Sequence, residues 1–177
     1  MLTTDIIPVA DARAVFAEVR SDALARAGVA LLLLAGLRPG EVEALRVKDY
    51  VHGEDGRRLR VGAERMPRTI RLAPSAAAAL DAYLEGQDTD PEDFLLPELR
   101  IPRLVQLVRA AAETAGVQAG VHDLRRAAVA AVVGDGAPVR HVEAYFGMSK
   151  VPGRKDLVPV RAGYDAGIID VLERAFA

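Results

Sequence analysis

The chain of 177 residues contains no cysteine. Neither a disulfide framework nor a thiolate metal site is therefore available, and a reducing, cytoplasmic setting is the natural expectation. Its three histidines, His52, His122 and His141, stand at no metal-ligand spacing, so no metal or other cofactor is expected. Long apolar runs are also missing. The most apolar stretch, Val29 to Ala35, falls far short of the ~20 residues that cross a bilayer. The start of the chain shows no basic segment followed by an apolar one, as a secretory leader would. No membrane partner is expected.

What is present is a chain that is 51% hydrophobic, enough for one well-buried domain spanning residues 1–177. The net charge of -2 argues at first sight against a polyanionic partner, because Lys and Arg supply most affinity for nucleic acid. Its distribution argues otherwise. Residues 73–98 hold seven acids and no base, whereas residues 38–72 hold nine bases against six acids, and residues 99–164 ten against five. The basic excess sits in the two segments that also carry the motifs described below.

Apolar spacing predicts mostly helices. Val9, Val15, Phe16 and Val19 recur at helical intervals, and Ser21-Asp22 offers a cap for a second helix running to Ala35. After Arg26 that helix is apolar on nearly every side, the pattern of a helix surrounded by core. Gly36 stops it, and Pro39 starts another helical stretch reaching about Lys48. Residues 57–62 and 68–73 alternate instead, with Leu59 and Val61 in one and Ile70 and Leu72 in the other, which predicts a β-hairpin. Further helices are expected from Pro74 to Gly86, with a stripe of Leu80, Tyr83 and Leu84, and from Pro102 to Gly116, with Leu104, Val105, Val108, Ala111 and Ala112 inward. Others run over 122–133, over 138–147 with Val139, Val142 and Phe146, and at the end of the chain with Ile168, Ile169, Leu172 and Phe176. Residues 88–93 read as an acidic surface loop and 150–161 as a basic one. The fold class is α+β, mainly α, with a small antiparallel β-sheet.

Chemistry concentrates in two boxes. In His122-Asp123-Leu124-Arg125, positions 122 and 125 share one helix face, so an imidazole and a fixed cation can address one oxyanion. In Gly36-Leu37-Arg38-Pro39-Gly40-Glu41, Arg38 stands at a turn between buried elements. Alone, each box is more often a capping or solvated side chain; their joint occurrence favours phosphate chemistry.

Together with their flanks these boxes resemble the catalytic domain of tyrosine recombinases, the phage integrase and Xer-like family. Leu34-Ala35-Gly36-Leu37-Arg38-Pro39-Gly40-Glu41-Val42 is similar to that family's first-arginine box. His122-Asp123-Leu124-Arg125-Arg126 is similar to its H-x-L-R-H box, and Tyr145-Phe146-Gly147 stands where it has L-L-G. Arg161-Ala162-Gly163-Tyr164-Asp165 resembles the segment around its nucleophile. The resemblance implies a double-stranded DNA partner and a helical domain with a small sheet. It also implies integration or site-specific recombination through a 3'-phosphotyrosyl intermediate, so that the energy of the cleaved bond is kept without metal or ATP. Carried over residue by residue, Tyr164 is the nucleophile, and Arg38 and Arg125 hold the non-bridging phosphate oxygens. His122 is the acid/base or orienting donor, with Glu41 in support.

The chain departs from the family pattern in four ways. Ala63 takes the place of the catalytic Lys, with Lys150 or Lys155 as candidate substitutes, and Met148 takes the place of the second His or Trp. The interval before Tyr164 is longer than usual and contains Pro152 and Pro159. The family's N-terminal core-binding domain is expected to be absent. Two readings therefore stand side by side, a DNA strand transferase and a catalytically inactive DNA-binding or recombinase-regulating relative. A third is an interaction module that joins a second copy or a recombinase partner through the C-terminal helix.

Overall fold

In a computed structural model, residues 5–62, 67–148 and 160–177 are described. The central element is α2 (Ala23–Leu33), whose neighbours are α1 (Val9–Glu18), α4 (Pro74–Leu84), α5 (Ile101–Ala115) and α6 (Val121–Gly134). Being apolar on all sides, α2 needs neighbours on all sides: Ala27 and every residue from Val29 to Ala35 are fully buried. Each of its leucines is worth about 1.5–3 kcal/mol when removed from water. Asp22 caps the helix by accepting from Ala25 N at 3.0 Å, satisfying one of the free N–H groups of the first turn.

At its other end, the chain reverses at Gly36, which has a φ of +62°, and Leu37 N–H reaches back to Leu31 O. A Cβ on Gly36 would lie 2.2 Å from the ring of Phe146. The glycine is thus required twice, by its backbone and by the aromatic ring seated on it. Phe146 closes α7 (Val139–Phe146), so the first and third motif segments are packed face to face.

The helix starting at Pro39 is shorter than its periodicity predicts. α3 spans Pro39–Ala44, Leu45 turns extended, and a single 3-10 turn follows at Val47–Asp49. The extended backbone lets Leu45 O accept from Leu95 N at 2.8 Å, a long-range bond that helix propensity cannot anticipate. The hairpin is present as β2 (Gly56–Val61) and β3 (Arg68–Arg71), antiparallel with Leu59 opposite Ile70. A further strand, β1 (Tyr50–Gly53), pairs with β2 to complete a three-stranded sheet in the order β1-β2-β3. Four residues are too few to show a period in sequence.

In α5, Leu104, Val108, Ala111 and Ala112 face inward as expected, but Val105 is exposed. In α4, Leu80 is buried while Tyr83 and Leu84 are only half-buried, and Ala76 and Ala79 take their place in the core. The final helix, α8 (Asp165–Phe176), buries Ile168, Ile169, Leu172 and Phe176 against its own chain, where its neighbours include α1, α6 and β3. Arg13 in α1 donates two hydrogen bonds to Ala175 O, at 2.9 and 2.7 Å. Glu173 in α8 accepts from Ser75 N at 3.0 Å and from Ser75 Oγ at 2.6 Å. No helix among the described residues is long and apolar enough to cross a membrane.

Candidate functional site

The last carbonyls of a helix have no partner within it and form the negative end of its dipole. At the end of α7 three successive carbonyls are taken by three arginines. Arg68 Nε donates to Tyr145 O at 2.9 Å, Arg125 Nη2 to Phe146 O at 2.9 Å, and Arg38 Nη2 to Gly147 O at 2.8 Å. Gly147 has a φ of +63°, and a Cβ there would meet Arg68 Nη1 at 2.5 Å. The turn is left-handed and bare because a guanidinium lies against it. Arg125 Nη1 also donates to Gly36 O, tying α6 to the end of the chain reversal after α2.

One carboxylate organises the cluster. Glu41, the third residue of α3, accepts from the backbone N–H of Arg38 at 2.9 Å, the reach-back of a capping box. It also accepts from Arg38 Nη1 at 3.1 Å and from both terminal nitrogens of Arg68, at 2.8 and 3.1 Å. The Arg68 and Glu41 side chains are 8% and 12% exposed, against 43% for Arg38. Burial works to raise the Glu41 pKa, but the hydrogen bonds from Arg68 and the Arg38 backbone prevail and hold it below its ordinary value. Arg125 is displaced the other way. Burial, reinforced by Arg38 and Arg68, lowers it to about 10 despite Glu41; the side chain stays charged at neutral pH.

The structure thus brings Arg38, Glu41 and Arg125 together and adds Arg68, which the motif reading did not select. Its signal lay in strand alternation, since Arg68 falls on the same face of β3 as the buried Ile70. An arginine on the inward face of a strand needs an acid, and Glu41 provides it. His122, the second residue of α6, is exposed and shares a helix face with Arg125. The start of α6 is set by Asp123, which accepts from Gly120 N at 2.7 Å and pairs with Arg126.

Tyr164 caps the start of α8 and is half-buried. Burial foremost, then the neighbouring Asp165, pushes its phenol up to about 12, against the opposing pull of Arg68 and Arg58. Arg68 acts electrostatically on both Tyr164 and Arg125. The ring of His141 lies 5.4 Å from that of Tyr164. Met148 is half-buried against the core. Ala63, Lys150, Lys155, Pro152 and Pro159 lie outside the described residues.

Among the described residues, three guanidiniums against the one carboxylate bonded to them leave an excess of two positive charges on the turn after α7. Such a cluster is stable only where water or an anion balances it. Forked donors of this kind match the oxygens of a phosphate.

A family model described as "Phage integrase family" matches residues 9–152. No curated protein matches the chain. Among solved structures, XerA recombinase superposes with a TM-score of 0.69 at 21% identity, over 94% of this chain and 59% of that one. The integrase from mycobacterium phage Brujita gives 0.70 at 16% identity, over 99% and 59%. A lambda integrase (75-356) dimer bound to a COC' core site gives 0.64 at 15% identity, over 89% and 62%. These likenesses show the α+β, mainly helical fold with its small antiparallel sheet. The chain spans about three fifths of the length of these three relatives.

Proposed function

Because the chain belongs to the phage integrase family, we propose that it acts in site-specific recombination of double-stranded DNA, with Tyr164 as the nucleophile. The observation that carries this reading is the convergence of Arg38, Arg68 and Arg125 on consecutive carbonyls of one turn, where among the described residues Glu41 is the carboxylate bonded to them. A phosphodiester brings one negative charge to this site, and a second develops in its five-coordinate transition state. Arg38 and Arg125 hold the non-bridging oxygens. His122 donates from the same face of α6, and Glu41 positions Arg38 through two bonds.

In the reaction the Tyr164 oxygen forms a bond to phosphorus as the bond from phosphorus to the 5' oxygen breaks. The phenol gives up a proton, the leaving oxygen gains one, and the 3' phosphate remains as an ester of Tyr164. Resealing by an incoming 5' hydroxyl reverses each change, so no cofactor is consumed. A protein of this kind works in the cytoplasm, where the DNA is. The lambda integrase relative is bound to DNA as a dimer, and we extend double-stranded DNA and self-association to this chain. Since α8 already buries its apolar face at home, association through it is an exchange of helices rather than docking on a free face.

The test is a duplex carrying a nick one nucleotide from the cleavage position, which traps the covalent intermediate. A denaturation-resistant DNA adduct that disappears in Tyr164→Phe supports strand transfer. Salt-sensitive DNA binding without any adduct supports the second reading, a non-catalytic DNA-binding relative. No binding at low salt refutes both.

A further inference from the structure

Among the described residues Asp165 is the most deeply buried charged group: it is 1% exposed. Its position as first residue of α8 suits the helix dipole, but a solvent-exposed acid would serve that purpose equally well. Asp165 is instead turned into the sheet. Its Oδ2 accepts from the backbone N–H of Arg71 in β3 at 3.0 Å and from Arg58 Nη1 in β2 at 3.4 Å, while Oδ1 has no partner among the described residues. A buried carboxylate with a spare oxygen is costly to keep. The same corner is held by further contacts. Tyr145, fully buried in α7, donates its hydroxyl to Arg71 O at 2.8 Å, and the His141 ring stands against Tyr164. The residue so tightly fixed is the one directly after Tyr164.

We propose that Asp165 is a positioning residue for Tyr164: its carboxylate ties the first residue of α8 to β2 and β3 and thereby sets where the phenol can reach. The inference deepens the strand-transfer reading and rests on it for its catalytic consequence. Its geometric content stands separately. A phenol carried on a helix start moves with that start, and a displacement of about 1 Å at a reacting atom costs up to roughly a hundredfold in rate. Asn in place of Asp165 keeps the size and an acceptor for the Arg71 N–H but weakens the link to Arg58.

The experiment places 3-fluorotyrosine at position 164 of the full chain and compares the wild-type protein with Asp165→Asn by fluorine NMR. The expected result is one sharp resonance in the wild type and a shifted, broadened or split one in the variant. The variant's phenol also titrates at lower pH, because the acid that opposes its ionisation has lost its charge. In parallel, single-turnover adduct formation on the nicked duplex slows by roughly ten- to a hundredfold, while the DNA dissociation constant stays within about twofold. A purely structural role lowers rate and affinity together. An unchanged resonance, or an unchanged adduct rate in an active protein, overturns the proposal. Absence of an adduct in the wild type overturns strand transfer, and the fluorine comparison still decides whether Asp165 fixes Tyr164. Should Asp165→Asn fail to fold, Arg58→Met removes the charged partner from outside and is read by the same fluorine shift.

Discussion

Glu41→Ala probes the charge cluster most directly. The substitution deletes the acceptor of four hydrogen bonds, two of them from the side chain of Arg68. The Arg68 side chain is almost fully buried and, among the described residues, would keep the Tyr145 carbonyl alone. Removing one partner of a buried ion pair costs about 3–5 kcal/mol, mostly through the charge left behind. The bond to the more exposed Arg38 side chain adds at most about 1 kcal/mol. For a domain of this size about 1 kcal/mol corresponds to a shift of 2–4 °C, so Glu41→Ala should lower the melting temperature by roughly 6–24 °C. Thermal and urea unfolding followed by circular dichroism measure this. Arg68→Met, which keeps bulk but not charge, completes a double-mutant cycle in which the expected coupling is about 1–3 kcal/mol. A loss below about 1 kcal/mol for Glu41→Ala, or a coupling of zero, would refute the view that this pair holds the site together.

Acid should act on the same carboxylate. Its folded pKa lies below the ordinary 4.5, so its contribution is full above that value and disappears as pH falls through the lowered one, and Glu41→Gln should flatten the wild-type loss of stability over that window. Gly147→Ala forces a side chain into a left-handed turn and against Arg68, which should cost about 1–2 kcal/mol from the backbone alone and weaken DNA binding with it, as a filter-binding titration would show. Arg125→Ala should reduce DNA affinity and lower the slope of log affinity against log salt by about one phosphate contact, about 0.9; an unchanged slope would place Arg125 outside the DNA interface. Phe176→Ala, at a fully buried end of α8, should cost about 3–5 kcal/mol if the helix is docked on its own chain as described. Cooperative unfolding at the wild-type midpoint would contradict that docking.

The charge cluster also explains why the Tyr145-Phe146-Gly147 segment accompanies the two arginine boxes. Its importance lies in its backbone. The three carbonyls at the end of α7 are offered to three side chains arriving from α6, β3 and the turn before α3, and at Gly36 and Gly147 added bulk would meet an aromatic ring and an arginine respectively. Arginines held at both a carboxylate and a helix end lose little further freedom when an anion arrives, which is the condition for selective stabilisation of a transition state.

Much of this was written locally in the chain. A segment without a polar face, such as 27–35, has no stable place except inside a core, and α2 lies there. Gly36 and Gly147 mark chain reversals because few other residues accept a positive φ. The inward stripe of α8 follows from its period. These properties depend on residues a few positions apart, where spacing in sequence is spacing in space. The pairing of Glu41 with Arg68, the rack of carbonyls under three arginines, the strand at Tyr50–Gly53 and the burial of Asp165 join residues distant in sequence. A carboxylate or guanidinium carries no record in its own neighbourhood of which opposite group will meet it. Only the packing of α7 against α6 and β3, and of α8 against α1, α6 and β3, decided that, and with it which cations remain for a phosphate.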